Sequence, residues 1–108
     1  MTVKCLADTQ GFSACAMPSP EREICGAYCG DLLSWVMGRA NTDNAWITIM
    51  SNVNVIAVAT LTDVSCVILA EGVIPSDELI SLSISKNVNL LSTELSAYEC
   101  AVALGKMI

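Results

Sequence analysis

The stretch AWITIMSNVNVIAVATLTDVSCVILAEG, residues 45–72, decides the fold. Its opening, Ala45 to Met50, is rich in aromatic and β-branched side chains and reads as a strand. Ser51 or Asn52 turns the chain and caps a helix over 53–61. Ser65 to Ala70 follows, with Cys66, Val67, Ile68 and Leu69 apolar on both faces, the pattern of a central parallel strand. Glu71-Gly72 is the turn that ends it. Two strands joined by one helix run parallel, with a right-handed crossover. The nineteen uncharged residues from Asn44 to Thr62 are nearly long enough to span a bilayer. However, the run contains Asn44, Thr48, Ser51, Asn52, Asn54, Thr60 and Thr62 and breaks at Ser51-Asn52, so strand, turn and helix explain it better.

The same alternation continues outward. Pro75-Ser76-Asp77-Glu78 begins a helix, with Ser76 as cap and acids in the first turn. It runs to about Lys86, offers Leu79, Ile80, Leu82 and Ile84 to the core, and stops at Asn87. Val88 to Leu91 is a short strand. Ser92 or Thr93 then caps a last helix ending near Lys106, with Leu95, Tyr98, Val102 and Met107 as its apolar stripe. Toward the N-terminus, Thr2 caps a short helix through about Thr9, and Gly11 ends it. Phe12 to Met17 is a strand stopped by Pro18-Ser19-Pro20. Glu23 to Cys29 is extended, and a Gly30-Asp31 corner leads into a helix over 32–38, which Asp31 is placed to cap. The expected fold is α/β: one domain over residues 1–108, with a mostly parallel sheet of about five strands flanked by helices in three layers.

Composition narrows the function. Five basic against eleven acidic residues give a net charge of −6. Nucleic acid and anionic membranes are held by clustered Lys and Arg, and no such patch occurs. The chain is 54% apolar and only 15% charged. A domain this small should therefore expose an apolar patch, and a homodimer is the expected remedy. One Lys and no long apolar core near the N-terminus leave a cytoplasmic location as the expectation. Six cysteines without a C-x-x-C pair, and no histidine, suggest buried, reduced thiols rather than a metal site. Cys25 and Cys29 share one strand face.

Glu21-Arg22, Cys25-Gly26-Ala27 and Tyr28-Cys29-Gly30-Asp31-Leu32-Leu33-Ser34 form an ordered set of motifs. Trp46-Ile47-Thr48-Ile49, Asn52 to Ala59, Ile68-Leu69-Ala70-Glu71-Gly72 and Leu91-Ser92-Thr93-Glu94-Leu95-Ser96 extend it. This order resembles the DRTGG domain family over nearly the whole chain. Cys25 stands where that family has Thr, and Ala27 where it has the second Gly. The resemblance implies a fold like the N-terminal domain of HPr kinase. It also implies a regulatory, ligand-sensing module of the kind that sits beside CBS pairs and phosphate acetyltransferases. The ligand implied is nucleotide-like or another anionic small molecule, such as a phosphorylated metabolite. A subunit that docks to a partner enzyme without any small ligand is the alternative.

Catalysis lacks parts. No G-x-x-x-x-G-K-[ST] loop occurs, so a kinase of the P-loop type is not expected, and no cofactor motif is present. Without histidine, no base stands near a Ser or Cys nucleophile in the pattern. Ligands of open α/β sheets bind outside the C-terminal ends of the strands. The turns there are Gly30-Asp31, Ser51-Asn52, Glu71-Gly72 and Ser92-Thr93, and these eight residues are the candidate ligand contacts. Each can equally serve its own turn or helix cap. Arg22 suits an anion clamp, although pairing with Glu21 or Glu23 is the plainer use. Trp35 lies off the Leu32, Leu33, Val36 and Met37 stripe and is the candidate interface residue. Trp46 belongs to the core.

Overall fold

Four strands of the sheet run parallel and one opposes them. The computed structural model describes all 108 residues. Its elements are α1 (Val3–Ala7), β1 (Phe12–Ala16), β2 (Ala27–Cys29), α2 (Leu33–Arg39), β3 (Ala45–Thr48), α3 (Asn54–Thr62), β4 (Cys66–Leu69), α4 (Asp77–Ser85), β5 (Leu90–Thr93) and α5 (Ala97–Met107). The strand order is β1-β5-β4-β3-β2, with β2 to β5 mutually parallel and β1 antiparallel on β5. β4 sits at the centre and is buried along its whole length. No helix is long and apolar enough to cross a membrane.

Strand side chains alternate between two faces, and that alternation builds two cores. Trp46, Val67, Leu69 and Leu90 pack with Val36 of α2, Val55 and Ile56 of α3 and Leu79 of α4. Ala45, Ile47, Cys66, Ile68 and Leu91 pack on the other face with Val3 and Leu6 of α1 and Cys100 and Leu104 of α5. The result is three layers, as expected. Trp46 is fully buried, and its indole N–H donates to the Gly30 carbonyl at 2.9 Å.

Several local expectations need correction. The extended piece before α2 is a strand only from Ala27 to Cys29, because Gly26 adopts a left-handed φ of +80°. Glu23 instead forms an isolated bridge with Thr2. Asp31 does not cap α2; its carboxylate accepts from the Thr48 hydroxyl and the Ile49 N–H. Asn52 accepts from Asn54 N at 2.9 Å at the entry to α3, while Ser51 caps nothing. β5 runs on to Thr93, so neither Ser92 nor Thr93 caps α5. Ser96 does, in a reciprocal capping box with Glu99. The buried stripe of α5 is Cys100 and Leu104, while Tyr98 and Val102 lie exposed. On α4, Ile84 is also exposed.

Candidate functional site

Because β2 to β5 are parallel, their C-terminal ends share one rim of the sheet, and all four predicted turns lie there. Hydroxyls finish two of the strands in the same way. Thr48 Oγ1 donates to Asp31 Oδ1 at 2.8 Å and accepts from Met50 N at 3.2 Å. Thr93 Oγ1 donates to the Gly11 carbonyl at 2.6 Å and accepts from Leu95 N at 3.2 Å. Each Thr thus satisfies backbone groups left free where a ladder ends. Gly30-Asp31 and Ser51-Asn52 lie at the β2–β3 end of this rim, and Glu71-Gly72 and Ser92-Thr93 at the β4–β5 end.

The direction taken by the helices separates these two ends. α2, α3 and α4 leave β2, β3 and β4 toward one face, whereas α5 leaves β5 toward the other. The crossovers therefore part between β4 and β5, which makes a crevice at that point of the rim. A cleft of about 420 Å³ occupies it, lined by Phe12 and Ser13 of β1, Gly72, Val73 and Ile74 after β4, and the segment Ser92 to Leu95 after β5. Of the eight predicted contacts, only Gly72, Ser92 and Thr93 line this cleft. Gly30, Asp31, Ser51 and Asn52 stand away from it, and Glu71 is turned to another task. Its carboxylate accepts from Ala97 N at 3.0 Å and joins Ser96 and Glu99 in closing the N-terminus of α5.

Gly72 is required where it stands. Its φ is +73°, and a Cβ there would meet Glu94 Oε2 at 2.8 Å. Glu94, an exposed residue lining the cleft, therefore lies against the bare backbone of Gly72, and it is not among the eight residues expected from the turns. Its signals in the sequence are its place directly after Ser92-Thr93 and within the Leu91-Ser92-Thr93-Glu94-Leu95-Ser96 motif.

The rim is uniformly acidic. Asp31, Glu71, Glu94 and Glu99 lie along it, and Asp77 and Glu78 open α4 at the same end. The basic residues are elsewhere. Arg39 and Lys106 occupy last turns of helices that return to the opposite end of the sheet, and Lys86 closes α4 there. Lys4 pairs with Asp8 at 2.8 Å. Arg22 is neither a rim clamp nor a partner of Glu21 or Glu23. Its Nη2 donates to Asp43 Oδ1 at 3.0 Å and to Asp63 Oδ1 at 2.8 Å, and Nε also donates to Asp43. Both aspartates precede strands, so this clamp closes the N-terminal rim.

Trp35 is half exposed, with the Arg39 guanidinium 3.8 Å from its ring centroid. Leu32 and Met37, which the stripe assigned to the core, are exposed as well. Cys66 and Cys100 are buried as expected, and burial pushes their thiols up to about 12 and about 11. Cys5, Cys25 and Cys29 are exposed, against expectation. No three Cys, Asp or Glu side chains are gathered in a way that could hold a metal ion.

Comparisons with known proteins show the fold. No protein-family profile and no curated protein match the sequence. A solved structure does: the CBS and DRTGG domains of the regulatory region of Clostridium perfringens pyrophosphatase, complexed with its activator diadenosine tetraphosphate. The TM-score is 0.68 at 18% identity, over 90% of this chain. The match spans 43% of that regulatory-region chain. The chain thus has a DRTGG-like α/β fold.

Proposed function

We propose that this chain is a non-catalytic regulatory module that senses a nucleotide-like small molecule in the cleft between β4 and β5. The observation that carries the reading is the parting of α4 and α5 to opposite faces, which opens a crevice where ligands of α/β sheets are received. The pyrophosphatase regulatory region of similar fold was solved with a nucleotide activator, which supports the same class of ligand here. By the same analogy, the module acts on a partner enzyme.

The chemistry of the cleft sets which part of the ligand it takes. Phe12, Val73, Ile74 and Leu95 offer apolar walls, and Ser13, Ser92 and Glu94 offer polar groups between them. With Glu94 and Glu99 lining it and no Lys or Arg on the rim, the cleft favours donors over anions. Ribose hydroxyls are donors of that kind, and a carboxylate accepts them well. A nucleotide therefore enters nucleoside first, with its phosphates toward water.

A thermal-shift panel of adenosine, ATP and diadenosine tetraphosphate tests this. A binder at 100 times its Kd adds about 2.7 kcal/mol of stability. Glu94→Gln, which keeps the size and removes the charge, should abolish the shift while leaving the unliganded melting temperature close to wild type. A flat panel, or a shift that survives Glu94→Gln, refutes the assignment.

A further inference from the structure

One edge of the sheet is left open. From Cys25 to Arg39, the segment carrying β2 and α2, Val36 alone is buried. β2 is the edge strand, and its inner side is fully used: Ala45 N donates to the Gly26 carbonyl and Gly30 N to the Ile47 carbonyl. In a parallel ladder with that phase, the N–H and C=O groups of Ala27 and Cys29 point away from the sheet. Proteins blunt such edges with charges, Pro, a bulge or a covering element. The opposite edge follows this rule. β1 breaks register between Ala14 and Ala16, is followed by Pro18 and Pro20, and is flanked by α1 and α4. α5 packs on one face of β2, but along the hydrogen-bonding edge itself the other devices are missing: from Ile24 to Gly30 there is no charge, no Pro and no bulge. Beside it, α2 exposes Leu32 (59%), Trp35 (53%) and Met37 (46%).

We propose that β2 pairs with β2 of a second copy of this chain, antiparallel about a two-fold axis at Tyr28, joining two five-stranded sheets into one. The patch suits itself. The axis sets Ala27 against Cys29 of the second copy and Tyr28 against its own counterpart, so the paired segment brings no like charges together. α2 runs antiparallel to its copy, and the acidic end at Asp31 then meets the basic end at Arg39. Apolar side chains on α2 line the same seam. Closed two-fold pairing of one self-complementary patch is the commonest way such a surface is covered.

The register gives a direct test. Residues opposed as a hydrogen-bonded antiparallel pair lie about 5.5 Å apart at Cα, within reach of a disulfide. Ala27→Cys, in a background with Cys5 and Cys25 changed to Ser, should form a dimer band under mild oxidation, and adding Cys29→Ser should remove it. Ala27→Pro deletes an outward N–H and no ladder bond, so it should yield a folded monomer by light scattering where wild type is a dimer. A wild-type chain that stays monomeric at high micromolar concentration overturns the proposal. So does a dimer without the Cys29-dependent band, or one that survives both Ala27→Pro and Trp35→Asp.

Discussion

At the N-terminal ends of β3 and β4, Arg22 donates to Asp43 and Asp63, and Ser65 Oγ donates to the carbonyls of Glu23 and Asp43. At the C-terminal ends, Asp31, Glu71, Glu94 and Glu99 have no Lys or Arg among them, and the bonds of Asp31, Glu71 and Glu99 go to N–H and hydroxyl groups. The first end ties three distant segments through one cation. The second links neighbouring strand ends in pairs, β2 to β3 through Asp31 and β4 to β5 through Glu71, with no cation, and leaves a cleft between β4 and β5. The cationic tie lies at one rim only, and the cleft lies at the other.

The largest effect expected from this contrast is at Arg22. Arg22→Ala removes the bonds to both aspartates and leaves their carboxylates facing each other, each on a left-handed residue. Losing charged hydrogen bonds at a partly buried site costs about 2–3 kcal/mol, readable by urea unfolding. Arg22→Lys should recover less than half, since a point charge cannot reproduce the planar fork. At the other rim, Asp31→Ala deprives the Thr48 hydroxyl and Ile49 N–H of their acceptor. Asp31 is exposed, water replaces much of what is lost, and the cost should be about 1 kcal/mol. A reversed ranking of these two variants would break the comparison.

Glu99 gives a pH signature peculiar to the cleft rim. Its hydrogen bonds to Ser96 at the start of α5 hold its carboxyl below the usual range. A carboxyl depressed in the folded state contributes stability above its unfolded pKa and loses it as pH falls through the folded one. Acidification should therefore weaken the protein in the carboxylate range, and Glu99→Gln should show a shallower slope there. Equal slopes would mean that the capping box contributes nothing measurable.

Much of this was legible from sequence, for reasons that differ by region. The β3–α3–β4 unit announced itself because a strand buried on both faces leaves an unbroken apolar run, and Cys66 to Leu69 are all buried. The start of α5 lies three or four residues beyond its expected place because Ser92, Thr93 and Ser96 can all cap. Ser96 with Glu99 three residues later was the available signature. Arg22 was beyond reach, since its partners lie 21 and 41 residues away and are aligned by sheet register rather than local pattern. The turns were found because strand–helix alternation places them. The crevice was not, because it depends on which face α5 packs against. Exposure of Leu32 and Met37 was hidden for a related reason: a stripe predicts burial only where a neighbour supplies the other surface.

The smallest predicted effect separates the rims most sharply. Glu71 and Asp63 are both non-glycine residues held in the left-handed region, at φ of +61° and +58°. That conformation costs a non-glycine residue roughly 1 kcal/mol, which glycine would relieve in part. At Glu71 the relief is opposed by loss of a single exposed bond to Ala97 N, worth about as much. Glu71→Gly should therefore leave stability within about 0.5 kcal/mol of wild type. Asp63→Gly receives the same relief yet surrenders its carboxylate contact with Arg22, so it should be destabilising by about 1 kcal/mol net. Backbone strain is matched in the two variants. Any difference between them measures what the cross-tie at the N-terminal rim adds beyond a local cap, and equal values would mean that the guanidinium clamp is only another cap.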